Sequence, residues 1–550
     1  MHEPNDVTHT LVEHFFRRFF DNDSIEPDGD TQTTVTRAIS VMAMPGFVIA
    51  LLLGMLSSHH MPLWPAIYLH YLYVLYSFMV MGGVAVFEWE MLFPDRLDFL
   101  ILTPLPLRPR QLLTAKALAL ARFLGLFLLG SNLLAAFVIP VTTPEYFRGV
   151  LAQIAAVLLA GTFSALLFLA VGGVLLCVLD EQRFRIVSPI VQTLSVTLLA
   201  LLLVHLIHYG GSLHTMLTGP RFTARWFPPL WFVGVYEELR LGASAPAFAG
   251  RLTRYALAGT AAVAVLVGIT YPLAWARMRR LTLEGSQQKR GEGSRWLTWL
   301  LHRVVRRPGE RAVFHFIGQT LRRNTRYQAR LAIYCGAGLA LAVAYAATVR
   351  LTPSGNRIVL DDAGAHAVVP LLVFWSVAGL RTAFAFPVDL QAGWIFRVTG
   401  VRMSECASAA RKWALGCTAG VGAAAFGVLA IAGCGVRILL AQAVCGLGLA
   451  ILMSDGLFFF QPSVPFNRPR MPGRTSLPLM LTAYLAIFPL LLMQMGRLET
   501  YLEGHLWRLL WVPLAVAVVR AGFMGLRRIL GDFEEEVEGY DGEYVLLGLS

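Results

Sequence analysis

Residues 147–179 read FRGVLAQIAAVLLAGTFSALLFLAVGGVLLCVL, thirty-three positions with Arg148 as their one charge. A bilayer core about 30 Å thick is crossed by roughly 20 apolar residues in a helix, which bonds every backbone N–H and C=O internally. The stretch is longer than one crossing needs, so tilt or an interfacial first turn is expected. Similar windows run on both sides of it: 38–57, 64–87, 112–139, 186–209, 255–275, 331–349, 438–460 and 477–495. Weaker ones at 367–386, 414–433 and 509–521 complete a set of about twelve. The reading is therefore an all-α polytopic membrane protein. Composition agrees: 56% of the 550 residues are hydrophobic, 15% are charged and the mean hydropathy is +0.60, whereas soluble domains carry roughly 25% charge.

The net charge of +12 would suggest nucleic acid in a soluble chain. Here the loops decide. Alternating them from an inside N-terminus puts about 30 Arg and Lys on the cytoplasmic side and about 11 outside, the positive-inside bias. This implies a basic face toward the membrane, no nucleic-acid role, and both termini in the cytoplasm. The six cysteines, Cys177, Cys335, Cys406, Cys417, Cys434 and Cys445, lie in or beside apolar windows and show neither disulfide nor zinc spacing, so no metal is expected.

Five regions follow. Residues 1–37 are polar, with Leu11, Val12, Phe15, Phe16, Phe19 and Phe20 at helical spacing, as in a short interfacial helix. Residues 38–277 hold six windows, a segment at 90–116 and an external loop at 210–250. A basic linker covers 278–330, six further windows occupy 331–528, and an acidic tail covers 529–550. The loop contains Trp226-Phe-Pro-Pro-Leu-Trp231, aromatics suited to the headgroup level or to re-entry at the bilayer edge.

A weak repeat links the halves. Phe93-Pro94 with Leu97 and Lys116 is echoed by Phe386-Pro387 with Leu390 and Lys412, and Val12-Glu13-His14-Phe15 by Val313-Phe314-His315-Phe316. Two six-helix halves related by duplication are the expectation. Glu88 and Arg381 each stand five residues before their Phe-Pro marker, so opposite charges at equivalent depth suggest an ion pair between the halves. The alternative is that each snorkels separately to the inner headgroups.

The segment after the second window has a physical grammar of its own. Pro94 can begin a short helix with Asp95 and Asp98 near its positive end, followed by an apolar run, Phe99 to Leu102, too short to span. Thr103-Pro-Leu-Pro106 must break it, and Pro109 restarts a helix with Arg108, Arg110 and Lys116 at the inner headgroups. Such an element can take a push from a docked protein and pass it to two spans. In these residues, and in the N-terminal helix and Trp226–Trp231 loop, the chain resembles the permease subunits of ABC-2 type exporters.

The resemblance implies a coupling helix over 90–103, with Asp95, Asp98, Leu100 and Leu102 facing or supporting a separate ATPase. It implies a bacterial inner-membrane location and ATP–Mg on that partner, with no cofactor on this chain; a homodimer stays an open option. Residues 387–405 lack the Leu-Pro turn, and no aromatic loop precedes the twelfth window. The chain is not expected to be the ATPase, because a phosphate-cradling loop needs Gly-Lys-Ser or Gly-Lys-Thr and its lysines, Lys116, Lys289 and Lys412, follow Ala115, Gln288 and Arg411. The rival classes are a major facilitator type secondary transporter, suggested by Asp95-Arg96 but lacking that motif's glycines, and a membrane enzyme, for which no His-Glu-x-x-His occurs. His205 and His208, one turn apart, are read as interfacial or packing residues rather than a proton relay.

Overall fold

In the computed structural model the described residues are 4–20, 46–48, 51, 63–89, 101–102, 104–138, 146–209, 213–219, 222–283, 303, 305–352, 355–360, 362–385, 399, 401–459, 465–466 and 477–534. The chain divides into two compact units, Met1–Gly291 and Glu292–Ser550. Ten of the described helices are long and apolar enough to cross a membrane. They coincide with ten of the twelve sequence windows. Of the other two, residues 477–495 form most of a further helix, and the window at 38–57 lies almost entirely outside the described residues.

The first unit contains α1 (Pro4–Phe20), α2 (Leu63–Phe87), α3 (Pro109–Val138), α4 (Tyr146–Val178), α5 (Glu181–Tyr209), α6 (Leu213–Thr218), α7 (Pro228–Leu241) and α8 (Ala249–Leu283). α2 is its central helix and packs most extensively on α4, with α3, α5 and α7 also against it. The α2–α4 approach is set by small residues. A Cβ on Gly82 would meet Ser164 Oγ at 2.7 Å, and one on Gly161 would meet Ser77 Oγ at 2.9 Å. The two serines use that closeness: Ser77 donates to Val157 O and Ser164 to Phe78 O, both at 2.7 Å, the small-residue and hydroxyl packing expected where apolar burial drives nothing.

α1 lies on α3. Its buried stripe is Leu11, Phe15, Phe16 and Phe19, while His14 and Arg17 face out. Phe19 stacks on Phe123 of α3 at 4.8 Å, and Arg122 sits over the Phe16 ring at 4.2 Å. Glu13 reaches Arg122 at 3.0 Å and Arg17 at 3.3 Å.

The second unit contains α9 (Pro308–Arg323), α10 (Thr325–Ala346), α11 (Asp362–Phe384), α12 (Met403–Ile431), α13 (Val436–Leu457), α14 (Leu477–Glu503) and α15 (Trp511–Glu534). α11 is the buried centre and packs on α10, α13, α12 and α14. The α10–α11 contact again needs small residues, since a Cβ on Gly338 would meet Trp375 Cβ at 2.7 Å and one on Gly379 would meet Tyr334 Cβ at 2.8 Å. α9 lies on α12, with Val313, Ile317 and Leu321 buried at helical spacing. Lys412 of α12 pairs with the buried Glu310 of α9 at 2.8 Å.

The helical architecture expected from the sequence holds, with one local exception. α10 stops at Ala346, and the chain forms an antiparallel hairpin of β1 (Ala347–Thr352) and β2 (Gly355–Leu360), with Ala347 opposite Leu360 and Thr352 opposite Gly355. Thr348, Val349, Thr352, Ile358 and Val359 are β-branched, which favours strand over helix. Pro353 disfavours helix at the residue before it.

Candidate functional site: paired polar clusters inside the helix bundles

Each unit buries a histidine, a glutamine and a glutamate among its helices. In the first unit, His70 of α2 lies with Nδ1 3.2 Å from Gln153 Oε1 of α4, and its ring stacks on Tyr236 of α7 at 3.7 Å. Glu237, fully buried on the same short helix, accepts from Arg240 at 2.9 Å. Gln153 Nε2, Tyr236 OH and Glu237 Oε1 are buried without a hydrogen-bond partner among the described residues. Burial pushes the Tyr236 phenol well above its ordinary pKa, so it stays a neutral hydroxyl.

The aromatic loop supplies α7. Pro228 and Pro229 open it at positions where a missing N–H costs nothing, and it ends at Gly242, whose φ of 55° suits glycine. Between these ends Leu230, Phe232, Val233, Tyr236 and Glu237 are buried against α2, α4 and α8. Trp226 is exposed, and Trp231 donates to Arg225 O at 3.1 Å. The loop, read from sequence as lying at the headgroup level or re-entering the bilayer edge, thus packs as α7 against α2, α4 and α8, with Trp226 exposed before it.

In the second unit, His366 of α11 lies between two carboxylates of α14, with Nδ1 3.1 Å from Glu499 Oε2 and Nε2 3.2 Å from Glu503 Oε2. Pro370 stands four residues after His366 and has no N–H to offer the His366 carbonyl. Gln442 of α13 repairs that turn. Its Nε2 donates to His366 O at 2.7 Å and to Glu499 Oε2 at 2.6 Å, and its Oε1 accepts from Val369 N at 3.1 Å. Glu499 Oε1 is buried with no hydrogen-bond partner among the described residues.

Further polar links join helices within each unit. Asp180, just after α4, meets Arg277 of α8 at 3.6 Å. Asp455, near the end of α13, meets Arg520 of α15 at 3.3 Å and Arg411 of α12 at 3.4 Å.

Of the residues singled out by sequence, Asp95, Asp98 and Leu100 lie outside the described residues. Leu102 is half-buried against the first unit's core. The Leu-Pro stretch does break the helix: residues 104–108 form a turn, and α3 restarts at Pro109. Gln111 Oε1 accepts from the Arg108 N–H at 3.0 Å, half of a capping box. Arg108 and Arg110 are exposed, whereas Lys116 is 4% exposed with its ammonium 5.3 Å from the Phe15 ring centroid. Its described surroundings are those of the α1–α3 contact. Glu88 is half-buried in the turn after α2, and Arg381 sits in the last turn of α11, 5.9 Å from the Phe458 ring centroid. Each is placed within its own unit. The His205 and His208 side chains are outside the described residues.

Sequence reasoning missed His70, Gln153, His366, Gln442 and Glu499. The usable signal was polar residues inside or at the ends of apolar windows, above all His366 four residues before a proline. Comparison with protein-family models, curated proteins and solved structures gave no match.

Proposed function

We propose that this chain is the transmembrane permease subunit of an ATP-driven exporter of the ABC-2 type, in a bacterial inner membrane, with energy from a separate ATPase. The observation that carries the reading is the α1–α3 clamp. An amphipathic helix grips the very helix that begins after the coupling-like segment, through Phe15, Phe16, Phe19 and the Glu13–Arg122 pair. A displacement of that segment is transmitted to a helix already held at its base. The folding of the aromatic loop into α7, buried against α2, α4 and α8, supports the same reading.

The polar links, Glu13–Arg122 with Glu310–Lys412 and Asp180–Arg277 with Asp455–Arg520, support two six-helix units that arose by duplication. On that reading the full count is twelve spans. Affinity purification from the native membrane tests the proposal, with an ATP-binding subunit expected to co-purify. Replacing Leu102 by Asp is expected to uncouple ATP hydrolysis from transport at unchanged expression.

One observation favours a secondary transporter instead: buried titratable groups sit inside both bundles, and such groups are expensive there. Recovery of an active transporter with no nucleotide-binding partner would remove the exporter reading in favour of this one.

A further inference from the structure

We propose that His366, Glu499 and Glu503 form a proton-binding site, in which one exchangeable proton ties α11 to α14 and Glu503 connects the site to water. This goes beyond the exporter reading and does not depend on it.

The argument is a count of hydrogens. Both ring nitrogens of His366 face carboxylate oxygens, at 3.1 and 3.2 Å. An ionised carboxylate only accepts, and a neutral imidazole carries one N–H. With both carboxylates ionised and the ring neutral, one link would set a nitrogen lone pair against an oxygen lone pair. Two hydrogen-bonded links therefore need one more proton, held either as an imidazolium or on one of the carboxyls. The same arrangement leaves no ring nitrogen free for a metal.

Burial makes that proton matter. The Glu503 side chain is 29% exposed, His366 6% and Glu499 0%, so the three groups step from water into the bundle through one ring. At the inner end, His366 and Gln442 both address Glu499 Oε2, and Oε1 is buried with no donor among the described residues. A bare carboxylate oxygen there is costly, and a bound proton on the cluster lowers its charge from −2 to −1.

On α11 itself Asp362 stands one turn before His366. α13 contributes Gln442 and the buried Cys445. Arg437 of α13 and Arg497 of α14 are exposed, as is His505 beyond α14, and Arg508 packs over Tyr501 at 4.2 Å. The charged residues of α10 and α12 in their described parts, Arg330, Glu405, Arg411 and Lys412, lie toward those helices' first turns.

The sign follows from linkage. A folded state that binds the extra proton is more stable at low pH and loses that stability as pH rises through the site's titration. The test uses the full chain in lipid nanodiscs, with infrared difference spectra taken across pH and thermal midpoints measured alongside. The wild type is expected to show a titrating protonated-carboxyl or imidazolium band that Glu499→Gln removes. Glu503→Gln, at the half-exposed end and compatible with folding, is expected to shift the titration and flatten the pH dependence of the thermal midpoint. Spectra that titrate alike in the wild type and Glu503→Gln, with parallel pH dependence of the midpoints, overturn the proposal. So does a wild type without such a band.

Discussion

The two units solve one problem differently. Each must bury a histidine and a glutamate among apolar helices. The first neutralises its glutamate locally, by Arg240 three residues along the same short helix, and leaves His70 to a glutamine and a tyrosine face. The second spreads the task over three helices, with His366 from α11, Gln442 from α13 and two glutamates from α14. A charge pair within one helix stabilises that helix whatever its neighbours do. A cluster shared among helices stabilises their arrangement, and any helix movement changes it.

The sharpest break in this comparison is expected at Glu237. Glu237→Ala removes the fully buried carboxylate that pairs with Arg240 and should cost about 3–5 kcal/mol, read as the largest fall in thermal midpoint in detergent. Should Glu499→Ala cost more, local pairing would not be the stronger device.

Next in size are the glutamines. Gln442→Ala orphans the Val369 N–H and the His366 carbonyl, at about 1–3 kcal/mol each. Gln153→Ala removes a single His70 contact, worth about 1 kcal/mol. Adding Pro370→Ala to Gln442→Ala restores an N–H for the His366 carbonyl and should recover about 1 kcal/mol, visible as non-additivity in a double-mutant cycle. Strict additivity would show that Gln442 does not bridge the proline turn.

The amphipathic helices extend the comparison. Glu310 is 5% exposed and Glu13 34% exposed, so Glu310→Ala should loosen α9 by about 1–2 kcal/mol and Glu13→Ala should loosen α1 by under about 1 kcal/mol. Hydrogen exchange of each helix measures both.

The smallest effect expected is one of pH on α1. Partial burial alone would raise the Glu13 carboxyl, but hydrogen bonds and charges from Arg17 and Arg122 outweigh it and hold it below the ordinary value. Its contribution is therefore present above the ordinary carboxylate range and lost as pH falls through the lowered value. Exchange in α1 should quicken there, and Glu13→Gln should remove that step.

The helices were legible because membrane crossing imposes length and apolarity on a continuous run, as residues 147–179 show. The stripe of α1 was legible for the same reason, its period being local. The clusters were not, because they join residues far apart in the chain: His70 and Gln153 are 83 positions apart, His366 and Glu499 133. No window contains both partners. The hairpin after α10 was hidden by apolar β-branched residues, which hydropathy alone assigns to a span. The Leu-Pro turn was read correctly because proline acts on its own neighbours, whereas the burial of Lys116 depends on a helix some hundred residues earlier.

The repaired turn of α11 carries a consequence for motion. Where an unbroken helix supports itself, residues 366–369 borrow their rigidity from the side chain of another helix. Sliding α13 by a fraction of its pitch withdraws that support and turns a stiff rod into a hinge. The bend angle at Pro370 is thus a gauge of where α13 stands.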